Sequence, residues 1–200
     1  MFKCSSSKGK AKGEAGPVIK TYALLDCGSE VTLCHELLRK NLSVSGTELD
    51  FTLSGMTGST RMNSQLIDIT VASIDNDLST VDFSKVRTVT EILISGSCIA
   101  KREDVRSWPH LNDIDLHELK DDDVMLVIGL QEKPALFLPV EYRIGSEMDP
   151  IGIRYSLGWT VVGPVGGQKD NEVCSTNFVH TLDNSMFSSL RFQLYSSYIV

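Results

Sequence analysis

Apolar positions in this chain fall into short runs of alternating or continuous hydrophobicity, separated by turns rich in glycine and serine. That is the pattern of a protein built mainly from strands. The first run, "VIKTYALLD" (18–26), mixes β-branched and aromatic residues and drives straight into a carboxylate at Asp26, with Cys27, Gly28 and Ser29 forming the turn. In "SEVTLCHELLRKNL" (29–42), Val31, Cys34, Leu37, Leu38 and Leu42 recur at helical spacing and predict a short helix before Asn41. Residues 49–73 read as a hairpin. Leu49, Phe51 and Leu53 alternate on one arm, and Leu66 or Ile67, then Ile69 and Val71, on the other. Gly55 and Gly58 permit the turn between the arms, with Met56 and Thr57 at its tip.

Further along, 80–99 predicts another strand pair, strongest over "VRTVTEILI", whereas 101–123 is polar and irregular. "VMLVIGL" (124–130) reads as a fully apolar strand ending in glycine, with Ile128-Gly129 near its end. "PALFLPVEYRI" follows, and "LGWTVVGPVGG" (157–167) punctuates the end of the folded region. The sum is a mainly β fold, a small barrel or sandwich with one or two short helices. Residues 1–17 read as a flexible basic lead-in, 18–166 as the domain and 167–200 as a tail of uncertain order.

Composition narrows the function more than the fold. Of the 200 residues 42% are hydrophobic and 22% charged, enough for one core. A net charge of −7 argues against a nucleic-acid binder, and Lys3, Lys8, Lys10 and Lys12 read as a solvated tail. Five scattered cysteines form neither a disulfide framework nor a metal pattern, and no secretory leader is read. The expectation is reduced thiols in the cytoplasm. No apolar stretch reaches the roughly 18 residues that a membrane-spanning helix requires.

Asp26 is the residue that asks for chemistry, because a carboxylate closing a buried strand is costly unless it is paired or used. His110 and His117, with Asp113 and Asp115 between them, suit no common zinc spacing and read as a surface loop. No metal or cofactor is expected. The run Asp121 to Asp123 reads as a solvated loop, Trp108 and Trp159 as packing anchors, and Cys34 as core.

The order of parts resembles the retroviral-type aspartic peptidases: a strand into an Asp-x-Gly-Ser turn, a glycine-bearing hairpin some thirty residues later, and an apolar strand ending in Ile128-Gly129. The longer arrangement "TYALLDCGSEVTLC … LSGMTG … REDVRSWPHLNDIDL … MLVIGLQEKPALFLPVEYRIG … IRYSLGWTVVGP" is similar to the aspartic peptidase domain of BEL/Pao-type LTR retrotransposon polyproteins, over about residues 18 to 165. The resemblance implies a retropepsin-like acid-protease barrel, with the chain an excised piece of a gag-pol-like polyprotein. It also implies an endopeptidase that hydrolyses peptide bonds with a water held between two aspartates. One Asp-x-Gly is found in the right setting, so the second aspartate must come from another copy in a homodimer. Carried over, the catalytic aspartate falls on Asp26 and the turn glycine on Gly28. Ser29 falls where a hydroxyl bonds the carboxylate. The flap falls on Gly55, Met56, Thr57 and Gly58, and the second apolar strand on Ile128 and Gly129. Cys27 departs from the Ser or Thr of the family, and its thiol is the weaker hydrogen-bonding group, which implies a looser dimer. Polypeptide is the implied substrate. The alternatives are a dimerisation or binding module of the same fold that has lost catalysis, and an unrelated β-barrel in which Asp26 merely caps a turn.

Overall fold

The computed structural model describes residues 2–6, 16–55, 58–74, 80–94, 99–120, 124–130, 133–164 and 179–182. The strands are β1 (Phe2–Ser6), β2 (Ile19–Asp26), β3 (Leu33–His35), β4 (Thr47–Gly55), β5 (Gly58–Ser73), β6 (Thr80–Val89), β7 (Val124–Gly129), β8 (Glu141–Arg143), β9 (Ile151–Tyr155), β10 (Gly158–Val162) and β11 (Val179–Leu182). Helices α1 (Glu36–Asn41) and α2 (Arg102–Arg106) and a 3-10 turn (Pro134–Phe137) complete the described elements. The fold is mainly β.

The larger sheet runs β1-β2-β7-β3-β6-β5-β4-β11, and β1 pairs with β5 as well as with β2. At its centre β7 lies parallel to β2 and antiparallel to β3. Both faces of β7 are covered. Leu126 and Ile128 enter one cluster with Leu38, Ile69 and Phe83, while Val127 enters another with Val31, Leu33 and Phe51. Burying such a side chain contributes about 1.5–3 kcal/mol, which is why the sequence here is apolar without a break. A second sheet, β10-β9-β8, sits over a third cluster of Val105, Leu111, Ile114 and Leu116. Trp108 and Trp159 pack against that cluster, as anchors.

Several expectations change. The lead-in is not wholly loose: residues 2–6 form β1, because two neighbouring edges, on β2 and β5, offer backbone partners. At the other end, Val179–Leu182 pairs with β4, so strands of the larger sheet lie outside 18–166. The predicted helix starts later than its apolar spacing suggests. Leu33–His35 is a strand, parallel to β6 and antiparallel to β7, and the helix begins at Glu36 with His35 Nδ1 accepting from the Leu37 amide at 3.0 Å. Cys34 is fully buried, whereas Leu37 is exposed. Of the strand pair expected over 80–99, the described residues show one strand, β6, with 90–94 irregular; 95–98 lie outside the described residues. Finally, 101–123 is not merely polar loop, since it contributes α2 and most of the third cluster.

The hairpin of β4 and β5 is in place, with Gly55 opposite Gly58. Its phase resolves to Ile67, Ile69 and Val71 inward. Gly58 has φ +132°, a conformation that disfavours any residue with a Cβ.

Candidate active site

β2 ends by placing Asp26 in parallel register with Gly129, one step after Leu25 pairs with Ile128. The carboxylate is 9% exposed. Its Oδ1 accepts the Gly28 N–H at 2.9 Å, and its backbone carbonyl accepts the Ser29 N–H at 3.1 Å. The Gly28 bond aims the Asp26 side chain, and the Ser29 bond closes the four-residue turn beneath it. Cys27 is a free, exposed thiol at the tip of this turn.

Ser29 differs from the expectation. Its hydroxyl donates to the Val31 carbonyl at 2.8 Å, and so braces the loop rather than the carboxylate. The reason is local: Ser29 is buried, and the loop folds back to run beside the end of β7. There the Leu130 amide donates to the Ser29 carbonyl at 2.9 Å, and the Gly129 amide to Thr32 Oγ1 at 3.3 Å. Gly129 is needed for this contact. A Cβ at that position would lie 2.5 Å from the Val31 carbonyl oxygen and 2.8 Å from its nitrogen, both backbone atoms that cannot swing aside. The role of Ile128-Gly129 is therefore concrete: Ile128 anchors β7 in the core, and Gly129 lets the Asp26 loop close against it.

Thr32 is a site residue that the sequence did not single out. It is fully buried, and its hydroxyl serves the clasp. A Thr between two apolar residues reads as ordinary strand, so nothing in the pattern marks it.

The hairpin stands on the same cluster as the Asp26 loop, since Phe51, Leu53 and Met62 pack with Val31, Leu33 and Val127. Towards the tip the Ser54 and Ser59 hydroxyls lie 2.6 Å apart across the strands. Met56 and Thr57 lie outside the described residues. Along β2, a cavity of about 290 Å³ is lined by Leu24, Leu25, Leu116, Tyr155, Leu157 and Trp159, among others. Leu157, between β9 and β10, and Leu136 belong to the same core cluster as Ile128. Burial pushes the Tyr155 phenol above its ordinary range, and charge on Tyr142 and Cys27 adds to the shift.

His110 Nε2 donates to the Pro150 carbonyl at 2.8 Å. Among the described residues, no group of three or more His, Cys, Asp or Glu is placed to hold a metal ion. Asp121–Asp123 lies outside the described residues. No described helix is long and apolar enough to cross a membrane. Comparison with family models, curated proteins and solved structures finds no match for the chain.

Proposed function

We propose that the chain is half of a retropepsin-like aspartic endopeptidase, of the type carried by BEL/Pao retrotransposon polyproteins, and that two copies complete the site. The observation that carries this reading is the Asp26 turn: a buried carboxylate aimed by the Gly28 amide and clasped against Gly129. A turn whose Asp merely capped a loop has no need of a second strand held at backbone contact.

In the proposed reaction, Asp26 of each copy flanks one water. One carboxylate takes a proton from the water, whose oxygen attacks the peptide carbonyl. The other carboxyl, protonated, gives its proton to the carbonyl oxygen. The first carboxyl then gives its proton to the leaving nitrogen, the second carboxylate takes a proton back from a hydroxyl of the tetrahedral intermediate, and the C–N bond breaks to leave a carboxylic acid and an amine. Two like charges about 3 Å apart cannot both ionise, so the pair separates into acid and base without a cofactor. The Gly28 N–H holds one oxygen of each carboxylate, which leaves the other for the water.

Two further features support a polypeptide substrate. The outer edge of β4 pairs with an extended segment, Val179–Leu182, in antiparallel register from Gly55 to Thr52. Sheet edges take up extended peptides in this mode. The hairpin with Gly55 and Gly58 at its turn supplies a flap that covers such a peptide and excludes water.

The test is cleavage of a peptide library by the wild-type protein and by Asp26→Asn. The variant keeps the shape of the side chain and removes the base, so the expected loss is about 10²–10⁴-fold with an unchanged circular dichroism spectrum. Cleavage that survives Asp26→Asn overturns the reading. A folded wild type that dimerises and cleaves nothing favours the binding module instead.

A further inference from the structure

An edge strand is a template for pairing with another chain, and proteins usually guard such edges with charge. β4 is guarded along one half only. Its charged residues are Glu48 and Asp50, with Asp50 held by Arg61 of β5 at 3.1 Å. The half next to the hairpin turn, Thr52-Leu53-Ser54-Gly55, carries no charge. β5 takes the inner edge of β4 along its whole length, from Thr47 opposite Leu66 to Gly55 opposite Gly58. The outer edge is taken only in the unguarded half. There Val179, His180, Thr181 and Leu182 lie opposite Gly55, Ser54, Leu53 and Thr52. Among the described residues, no strand lies beside the outer edge of residues 47–51.

β11 has the dimensions of a docked peptide. It is four residues long, against nine for β4 and sixteen for β5, and residues 163–178 separate it from β10 in the chain. In an antiparallel pair alternate positions exchange hydrogen bonds, so four positions supply about two bonded pairs. A pairing of that size at a sheet edge belongs to the low end of local stability and is open to exchange. Main-chain bonds supply the affinity in this mode, so another extended segment with free N–H groups fits the same edge.

The edge lies next to the Asp26 loop. Leu53, opposite Thr181, packs with Val31 and Val127 in the cluster shared with that loop. Gly55, opposite Val179, opens the hairpin turn. A strand paired here is therefore tied to the arm that leads into the flap.

We infer that residues 52–55 of β4 form a docking edge for an extended peptide of another chain, and that β11 fills this edge in cis as a built-in competitor. The ligand is a segment of four or more residues, antiparallel to β4, without proline where an N–H must reach the edge. Tethering sets the strength of the competition. A cis segment at an effective concentration of about 1 mM weakens a peptide of about 100 µM affinity roughly tenfold. The docking edge stands on the pairing alone. Its consequence for cleavage, that β11 slows the entry of substrate beneath the flap, rests on the peptidase reading.

The experiment compares the 200-residue wild type with His180→Pro/Thr181→Pro and with His180→Ala/Thr181→Ala. N–H groups alternate in direction along a strand, so one of two adjacent prolines falls in the ladder, whereas the alanine pair keeps both donors. The first readout is amide hydrogen exchange of residues 52–55, with β7 reporting that the fold is intact. The second is fluorescence anisotropy of a labelled peptide with the sequence of residues 176–185, TNFVHTLDNS. In the proline variant alone, the outward amides of 52–55 should exchange at least about tenfold faster, and β7 should be unchanged. The peptide should bind that variant about tenfold more tightly than it binds wild type or the alanine variant, and should slow the exchange again. Equal exchange at 52–55 in wild type and the proline variant overturns the inference. So does a peptide that binds the proline variant no more tightly than wild type. If the edge opens and takes the peptide but no variant cuts any peptide, the peptidase reading fails and the docking edge stands. If wild type cuts peptides and the proline variant changes neither exchange nor rate, the docking edge fails and the peptidase reading stands.

Discussion

β7 and β8 follow one another among the strands, and both lie in or beside stretches with regularly placed apolar residues, yet they end up in opposite situations. β7 is buried on two faces, with Leu126 and Ile128 fully inaccessible. β8 turns Glu141 and Arg143 inward and leaves Val140 and Tyr142 in solvent. The difference lies in what each strand has beside it. β7 has hydrogen-bonded neighbours on both sides and core on both faces, so every position is apolar. Among the described residues β8 has a neighbour on one side, β9, and beneath it lie Trp159 and Asp113, which suit a guanidinium better than a leucine. A cation over an indole face gains about 0.5–2 kcal/mol depending on its desolvation, and that interaction sets which side of the strand is inside.

The largest effect expected of this contrast is on β7. Gly129→Ala places a methyl 2.5 Å from the Val31 carbonyl oxygen, so the clasp on the Asp26 loop must open. Overpacking of this kind costs about 3 kcal/mol or more when backbone is the obstacle. Urea unfolding of Gly129→Ala should show that loss, and peptide cleavage should vanish with it. Ile128→Ala should cost about 2–5 kcal/mol by leaving a cavity in the core. Tyr142→Ala on β8, measured at sub-micromolar protein to keep the chain monomeric, should cost less than about 0.5 kcal/mol. Equal losses at Ile128 and Tyr142 would break the comparison.

That contrast also explains what was legible in the sequence. An unbroken apolar run announces β7 whatever its neighbours are. β8 was not read from the sequence: its three residues Glu-Tyr-Arg are too few to carry a period, and the partners that decide which set faces in, Trp159 and Arg154, arrive later in the chain. The same limit applies at Leu33–His35. There the spacing of Val31, Cys34 and Leu38 fits a helix, and pairing with β6 and β7 overrides it. The third cluster was hidden because Val105, Leu111, Ile114 and Leu116 follow no period among charged neighbours. Within the site, Asp26 and Gly129 were readable as punctuation at two strand ends. The destination of the Ser29 hydroxyl was not, since it depends on how the loop returns.

A middle-sized effect separates the two faces of β8 itself. Arg143→Ala removes the nearer of the two cations over Trp159, leaving Arg154 at 5.9 Å, together with the pairs with Asp113 and Glu141. The side chain is about one-third exposed, so solvent screens part of this, and the expected cost is about 1 kcal/mol. Because the indole loses the nearer of its two cationic neighbours, the tryptophan emission of the folded protein should shift as well. Arg143→Lys should recover less than half of the loss, since an ammonium cannot both lie flat on the ring and reach two carboxylates. A loss no larger than that of Tyr142→Ala would mean that the inward face of β8 holds nothing in place.

The smallest effect is a pH dependence on the same inward face. Burial acts to raise the Glu141 carboxyl, but hydrogen bonds and charge from Arg143 and Arg154 outweigh it, and the folded-state value lies below the ordinary 4.5. A carboxyl with a depressed folded-state value stabilises the fold fully above its unfolded value, and that contribution disappears as pH falls through the folded one. Glu141→Gln keeps the shape but cannot carry the charge. The melting temperatures of wild type and Glu141→Gln should therefore differ most near neutral pH, with wild type higher, and the gap should begin to close as pH drops below about 4.5. High salt should narrow the gap at pH 7, because at 1 M the screening length is about 3 Å and the pair is partly open to solvent. A gap that stays constant from neutral pH to pH 3 would show that the two arginines hold Glu141 by shape and not by charge. The orientation of β8 would then have to rest on the contact between Arg143 and Trp159.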